Sequence, residues 1–230
     1  MTQPRLTVGV LGDQETVELF ELAGHTARQI NGDGGHLDVD MIVLDVPGVP
    51  LEVMVDRWLS EVRRGQLVMH TSLEYGVQVL DPLEVQGAIV MAAHRVWKDF
   101  WVASAADEVG ESVLSLLIPE MGGNLTMIED AQRPVIMAGK RMLDLVDEAR
   151  LDAFELLTQA VPAIGLELDE YWTLPGEGQN LQVDVPHLEQ MYHTIEDPSI
   201  GRLFVELERR QAARRGSSSV ELWAMGKNSL

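Results

Sequence analysis

The chain contains no cysteine among its 230 residues. That excludes a disulfide framework, a thiolate metal centre and a cysteine nucleophile, and it leaves cysteine spacing silent on the redox compartment. Basic residues are scarce: 17 Lys and Arg face 37 Asp and Glu, giving a formal charge of −20 and a pI near 4.5. Phosphate backbones are bound through basic patches that release counterions, so no nucleic-acid partner is expected. The one basic cluster, Arg209, Arg210, Arg214 and Arg215, follows Glu206 and Glu208 and reads as the basic end of a helix.

Long apolar runs are missing as well. The stretch Leu6 to Leu11 is shorter than the roughly 7 to 15 residues of a secretory h-region, and no later run approaches the ~18 apolar residues of a membrane span. A cytoplasmic protein without a membrane partner is the expectation. What is present, 46% hydrophobic and 23% charged residues, is the composition of a globular chain with one large domain or one plus a small appendage, and it excludes disorder.

Leu6 to Gly12 is an apolar, β-branched run of strand length ending on glycine, after which Glu15 to Leu22 switches to helical spacing. Thr26 to Ile30, Val39 to Val46, Gln66 to His70, Ala88 to Ala92, Trp101 to Ala103 and Asn124 to Ile128 read as further strands. Helices are predicted over Leu51 to Arg64, with Leu51, Val55, Trp58, Leu59 and Val62 on one face, and over Asp107 to Glu120, with a short one from Tyr75 to Leu80. Strands alternating with helices imply parallel pairing in an α/β sheet covered on both faces. Beyond residue 129 only helical patterns remain, at Ala131 to Ala160, Pro186 to Ile195 and Ile200 to Arg214, with a Pro/Gly-bearing stretch at Trp172 to Gly178. The organisation expected is a Rossmann-like domain over 1–128 and a helical C-terminal domain over 129–230.

A dinucleotide fold wants Gly-x-Gly-x-x-Gly after its first strand, so that the backbone can approach a pyrophosphate at a helix N-terminus. Gly12 fits the first position, but Gln14 and Val17 hold the second and third, and Asp13 and Glu15 bring negative charge. The same two acids also suit a helix N-terminus for structural reasons alone. Asn31 and Asp33 lie near the spacing at which a polar or acidic residue holds the adenosine ribose.

The segments Val8-Gly9-Val10-Leu11-Gly12, Leu44-Asp45-Val46-Pro47 and Gln66-Leu67-Val68-Met69-His70-Thr71-Ser72 resemble the 6-phosphogluconate dehydrogenase-like Rossmann superfamily. Within it they are most similar to NADP-binding oxidoreductases with a strand-borne His-Thr-Ser motif, and the likeness runs from about residue 5 to about residue 155. The resemblance implies a Rossmann domain, a helical C-terminal domain, dimerisation through helices, and NADP or NAD as cofactor. It places Gly12, Asp13 and Gln14 at the pyrophosphate, Asn31 at the ribose, Val46 and Pro47 against the nicotinamide, and His70, Thr71, Ser72 and His94 beside the reacting end. The departures are Leu73 where the group has glycine, Arg95 where it has proline after His94, and one fingerprint glycine instead of three.

The eight residues Asn31 to Asp38 leave no room for a further helix and strand, so the outer part of the adenine-binding half is expected to be missing. A parallel crossover takes about a dozen residues, more than this link supplies. None of His25, His70, His94, His187 and His193 has a metal-like spacing; His187 and His193 stand six apart, not four, and no metal is expected. Lys140 lies near where related hydroxyacid dehydrogenases keep a catalytic lysine, and the role expected of it is a salt bridge to Asp144 at i+4. Trp97, Phe100 and Trp101 are candidates for a pocket wall or for a core or dimer contact. Two functions follow: an oxidoreductase passing hydride between nicotinamide and a small metabolite, or a Rossmann-like protein that has lost the dinucleotide and acts as a dimeric binding or regulatory module.

Overall fold

The computed structural model describes residues 5–31, 38–46, 49–161 and 183–227. The chain forms two compact units, Met1–Arg133 and Pro134–Leu230. In the first, the strands β1 (Thr7–Leu11), β2 (Thr26–Gln29), β3 (Met41–Leu44), β4 (Leu67–His70), β5 (Ile89–Trp97), β6 (Phe100–Ala105) and β7 (Asn124–Met127) make one sheet in the order β2-β1-β3-β4-β5-β6-β7. All neighbours are parallel except β5 and β6. The α/β reading and the mostly parallel sheet are as expected.

Burial on both sides explains why β1, β3 and β4 read as continuous apolar runs. Along each strand alternate residues enter opposite layers. Val8, Val10, Val43, Met69, Met91 and Ala93 pack under α1 (Gln14–Leu22) and α4 (Glu108–Glu120), through Val17, Phe20, Leu114, Leu117 and Ile118. Leu44, Val68, Val90 and Ala92 face the other way, onto α2 (Leu51–Trp58), α3 (Asp81–Val85) and the 3-10 turn Val77–Leu80, through Val55, Trp58, Val77, Leu80 and Leu83. α2 stops at Trp58, shorter than its apolar stripe suggested, while Leu59 and Val62 still pack on the same core.

The link from β2 to β3 corrects one expectation. β2 and β3 flank β1 on opposite sides and both run parallel to it, so residues 30–40 do make a parallel crossover. Only one strand has to be stepped over, about 10 Å of lateral travel plus a return along a four-residue strand, and eleven residues can span about 36 Å. Among the described residues β2 is the sheet edge, and the strand order leaves a topological switch between β1 and β3.

β5 is longer than its apolar run: it continues past Ala92 through His94 and Arg95 to Trp97, turns at Lys98 (φ 49°) and returns as β6. In the second unit, α5 (Arg133–Ala160), α6 (Val185–Thr194), α7 (Pro198–Arg215) and α8 (Ser218–Lys227) follow. α7 ends on Gly216 in the left-handed region (φ 70°), with Arg214 and Arg215 in its last turn as the sequence implied. Arg141 of α5 and Glu208 of α7 form a buried ion pair, Nε to Oε1 2.6 Å and Nη2 to Oε2 2.9 Å, and Nη2 also donates to Gln211. The stretch Trp172 to Gly178 lies outside the described residues.

Candidate functional site

Ligands of open α/β sheets bind beyond the carboxyl ends of the strands, where the strand order reverses. Here that crevice is rimmed by the turn after β1, the end of β3 and the loop after β4. Strand alternation assigns its walls: Asp45 continues the face of Val43 and Thr71 that of Met69, toward α1, while His70 and His94 continue the faces of Val68 and Ala92, toward α2.

On the α1 side Asp13 is the N-cap of α1, its Oδ1 accepting from the Thr16 amide at 3.0 Å. Its carboxylate thus occupies one of the helix amides that an anion would otherwise use. Gln14 opens the helix and is exposed. Gly12 is required by packing: a Cβ there would lie 2.8 Å from Asp45 Cβ and 3.0 Å from the Asp45 carbonyl carbon. The glycine therefore lets β1 close on β3. Val17, at the third fingerprint position, is core beneath the sheet.

Asp45 is the residue that the sequence reading passed over. Its Oδ2 accepts from Thr16 Oγ1 at 2.5 Å and its Oδ1 from Thr71 Oγ1, so one carboxylate joins the first turn of α1, the end of β3 and the loop after β4. A carboxylate ending an otherwise apolar, doubly buried strand was the available signal. Gln29, the last residue of β2, donates its Nε2 to the Gly12 carbonyl at 2.5 Å, so Gln29 reaches the turn while Asn31 stands exposed beyond it. Asp33 and Pro47 lie outside the described residues; Val46 is partly buried and packs on the α2-side core.

On the other wall His70 is fully buried, and its Nε2–H donates to the Gly76 carbonyl at 3.2 Å, leaving the lone pair on Nδ1. Burial pushes its pKa down from 6.5 to about 4, with the Arg133 and His94 charges adding to the effect and the Gly76 and Ser72 backbone opposing it. It is neutral at pH 7 and fastens the loop 71–76 rather than standing open to a ligand. Arg133, itself buried, donates to Asp130 at 2.8 Å and Ser104 at 2.6 Å behind that loop, and Asp130 lies against Gly76. His94 donates Nδ1–H to the Thr71 carbonyl at 2.6 Å, bracing the same loop from β5. Ser72 Oγ accepts from the Glu74 amide at 3.2 Å. Leu73 is buried, so its bulk does not stand in the open crevice.

The remaining candidates do not converge here. His25 joins the Leu6 amide to Glu120, His187 pairs with its N-cap Asp184, and His193 pairs with Glu189. Among the described residues no group of three or more His, Asp or Glu converges as metal ligands would. Lys140 lies 3.7 Å from Asp144. Of the three aromatics, Trp101 is buried against Gly123, whereas Trp97 and Phe100 are exposed at the hairpin tip. No helix among the described residues is long and apolar enough to cross a membrane.

Residues 26–95 match a Rossmann-like domain and residues 129–227 match the 6-phosphogluconate dehydrogenase C-terminal domain-like family. No curated protein sequence matches the chain. Among solved structures, the fold is shared with a protein provisionally described as an NADP oxidoreductase from Bacteroides fragilis, at 13% identity, TM-score 0.56, covering 90% of this chain and 97% of that one. It is shared with prephenate dehydrogenase from A. aeolicus, at 11% identity and TM-score 0.53, covering 100% and 91%. It is shared also with 3-hydroxyisobutyrate dehydrogenase from Salmonella typhimurium, at 12% identity and TM-score 0.52, covering 97% and 94%. The chain thus holds a region similar to a Rossmann-like domain, followed by one similar to the 6-phosphogluconate dehydrogenase C-terminal domain-like family.

Proposed function

We propose that the protein is a nicotinamide-dinucleotide-dependent oxidoreductase acting on a small metabolite, with the dinucleotide lying across the β1/β3 switch. The observation that carries this reading is the crevice itself: strand order reverses there, a nine-residue helix points its N-terminus at it, and hydroxyls from two separate segments meet in it. The two domain matches and the dehydrogenases that share the fold support the same reading.

The donor set fits the group. The amides of Gln14 and Glu15 lie in the first helical turn, which has no intrahelical acceptor for them, while the Thr16 and Thr71 hydroxyls donate to Asp45 and hold that turn in place. Gln29 and Asn31 at the end of β2 would take the adenosine ribose, and Val46 would pack against the ring. When bound, the nicotinamide supplies the hydride acceptor or donor. This chain supplies position: His70 and His94, with protons on Nε2 and Nδ1, hold the loop Thr71–Gly76 at a fixed height above β4. Asp13, Glu15 and Asp45 oppose a diphosphate by charge, so the affinity expected is micromolar and falls between NADPH and NADH according to the end of β2. The readings of a cytoplasmic protein and of a homodimer formed through the helical unit go with this function; Val135, Leu143, Val146 and Leu157 leave an apolar stripe exposed on α5.

Calorimetric titration of NADPH and NADH into the full chain tests the proposal. Micromolar binding of at least one supports it; no heat with either, at protein concentrations of about 100 μM, refutes it.

A further inference from the structure

β5 outruns its parallel neighbour. Ala92 pairs with His70, the last residue of β4, so Ala93 to Trp97 stand beyond the carboxyl edge on the crevice side. Met91 and Ala93 lie in the core under α1 and α4, and strand alternation puts Arg95 on the same face. Arg95 still pairs with Trp101, and the register of the hairpin shifts only beyond it, before Trp97. Arg95 Nη2 thereby reaches Glu15 Oε1, in the first turn of α1, across the ends of β3 and β4.

The electrostatics of that turn give the contact its meaning. Asp13, Glu15 and Asp45 surround the amides that face an incoming diphosphate, and the fingerprint glycines that would bring the backbone close are replaced by Gln14 and Val17. A dianion needs a cation there. A guanidinium matches phosphate oxygens with two parallel N–H donors. The side chains of Arg95 and Glu15 are 37% and 51% exposed, so their pairing contributes little to folding and can be exchanged at small cost.

We propose that Arg95 is the diphosphate-binding residue of this crevice, leaving Glu15 for a phosphate oxygen of the dinucleotide and supplying from β5 a contact that the glycine-poor turn lacks. This rests on the dinucleotide reading above. The test is calorimetry on the full chain with NADPH, NADH and ADP-ribose, the last keeping the diphosphate and lacking the nicotinamide. Arg95→Ala is expected to weaken ADP-ribose and dinucleotide binding alike, by about tenfold or more, and to flatten their dependence on ionic strength. Arg95→Lys recovers part of the loss, and Glu15→Gln, which removes the competing carboxylate, tightens binding several-fold by the same electrostatics. Unaltered melting of each variant keeps the comparison clean. If wild type binds and Arg95→Ala binds ADP-ribose equally well, the role of Arg95 is overturned while the dinucleotide reading stands. If wild type binds none of the three probes, both fall.

Discussion

Asp45 Oδ2 and Thr16 Oγ1 meet at 2.5 Å, and this contact ties the first turn of α1 to the end of β3. With Thr71 on the other oxygen, the same carboxylate holds three segments that rim the crevice. Asp45→Ala strands both hydroxyls and should lower stability by about 1–3 kcal/mol, read as a shift of the urea midpoint at constant slope. Thr16→Val and Thr71→Val should each cost less, with a coupling to Asp45 of about 1 kcal/mol in a double-mutant cycle. A midpoint unchanged in Asp45→Ala would show that the bridge contributes nothing.

Gly12 has a packing role as well as a place in the proposed site. The carbons that its Cβ would meet belong to the Asp45 residue, one of them in the backbone, which cannot move aside as a flexible side-chain tip can. Gly12→Ala is therefore expected to destabilise the first unit by about 1–3 kcal/mol, lowering its thermal midpoint by several degrees. Wild-type stability in this variant would mean that β1 and β3 are not held so closely.

His70 makes stability depend on pH in a defined window. Its folded pKa, about 4, lies below its ordinary value of 6.5, so the unfolded chain binds the proton more readily. The contribution is complete above pH 6.5 and is lost as pH falls toward 4, amounting to about 3 kcal/mol over the window. Urea unfolding of wild type and His70→Gln at pH 7 and pH 4.5 should show a smaller loss on acidification in the variant. Equal losses would place the acid sensitivity elsewhere.

In the helical unit Arg141 and Glu208 are both buried and joined by two hydrogen bonds. Removing one partner takes the counter-charge from a buried group, so Arg141→Met or Glu208→Gln should each cost about 3–5 kcal/mol, whereas Arg141→Met with Glu208→Met should recover most of it. Thermal unfolding of the three variants decides the matter; a double variant worse than either single would argue against a compensated pair.

Much of the fold was written in the spacing of apolar residues, and most of the site was not. Strands such as Met41–Leu44 are buried on both faces, and helices such as Pro198–Arg215 carry their own caps, so each announces itself locally. The last helix, Ser218–Lys227, is not among the helices read from the sequence. Its start is marked by Ser217, whose carbonyl accepts from the Glu221 amide at 3.1 Å. At the site, Thr71, Ser72 and His94 were found as residues near a strand end, but their partners come from 2 to 26 positions away and depend on which face each strand presents. Asp45 could be placed only once the parity of β3 against α1 was known. His70 was legible as a strand-end histidine, while its burial follows from packing beneath Gly76 and Arg133.

Hydrogen exchange of the full chain with and without saturating NADPH, or NADH if that binds more tightly, tests the placement of the dinucleotide most directly. Added protection at residues 12–16, around Asp45 and Val46, and over 71–76 is the predicted result. Binding that leaves these three segments unchanged and protects others would contradict a dinucleotide at the β1/β3 switch.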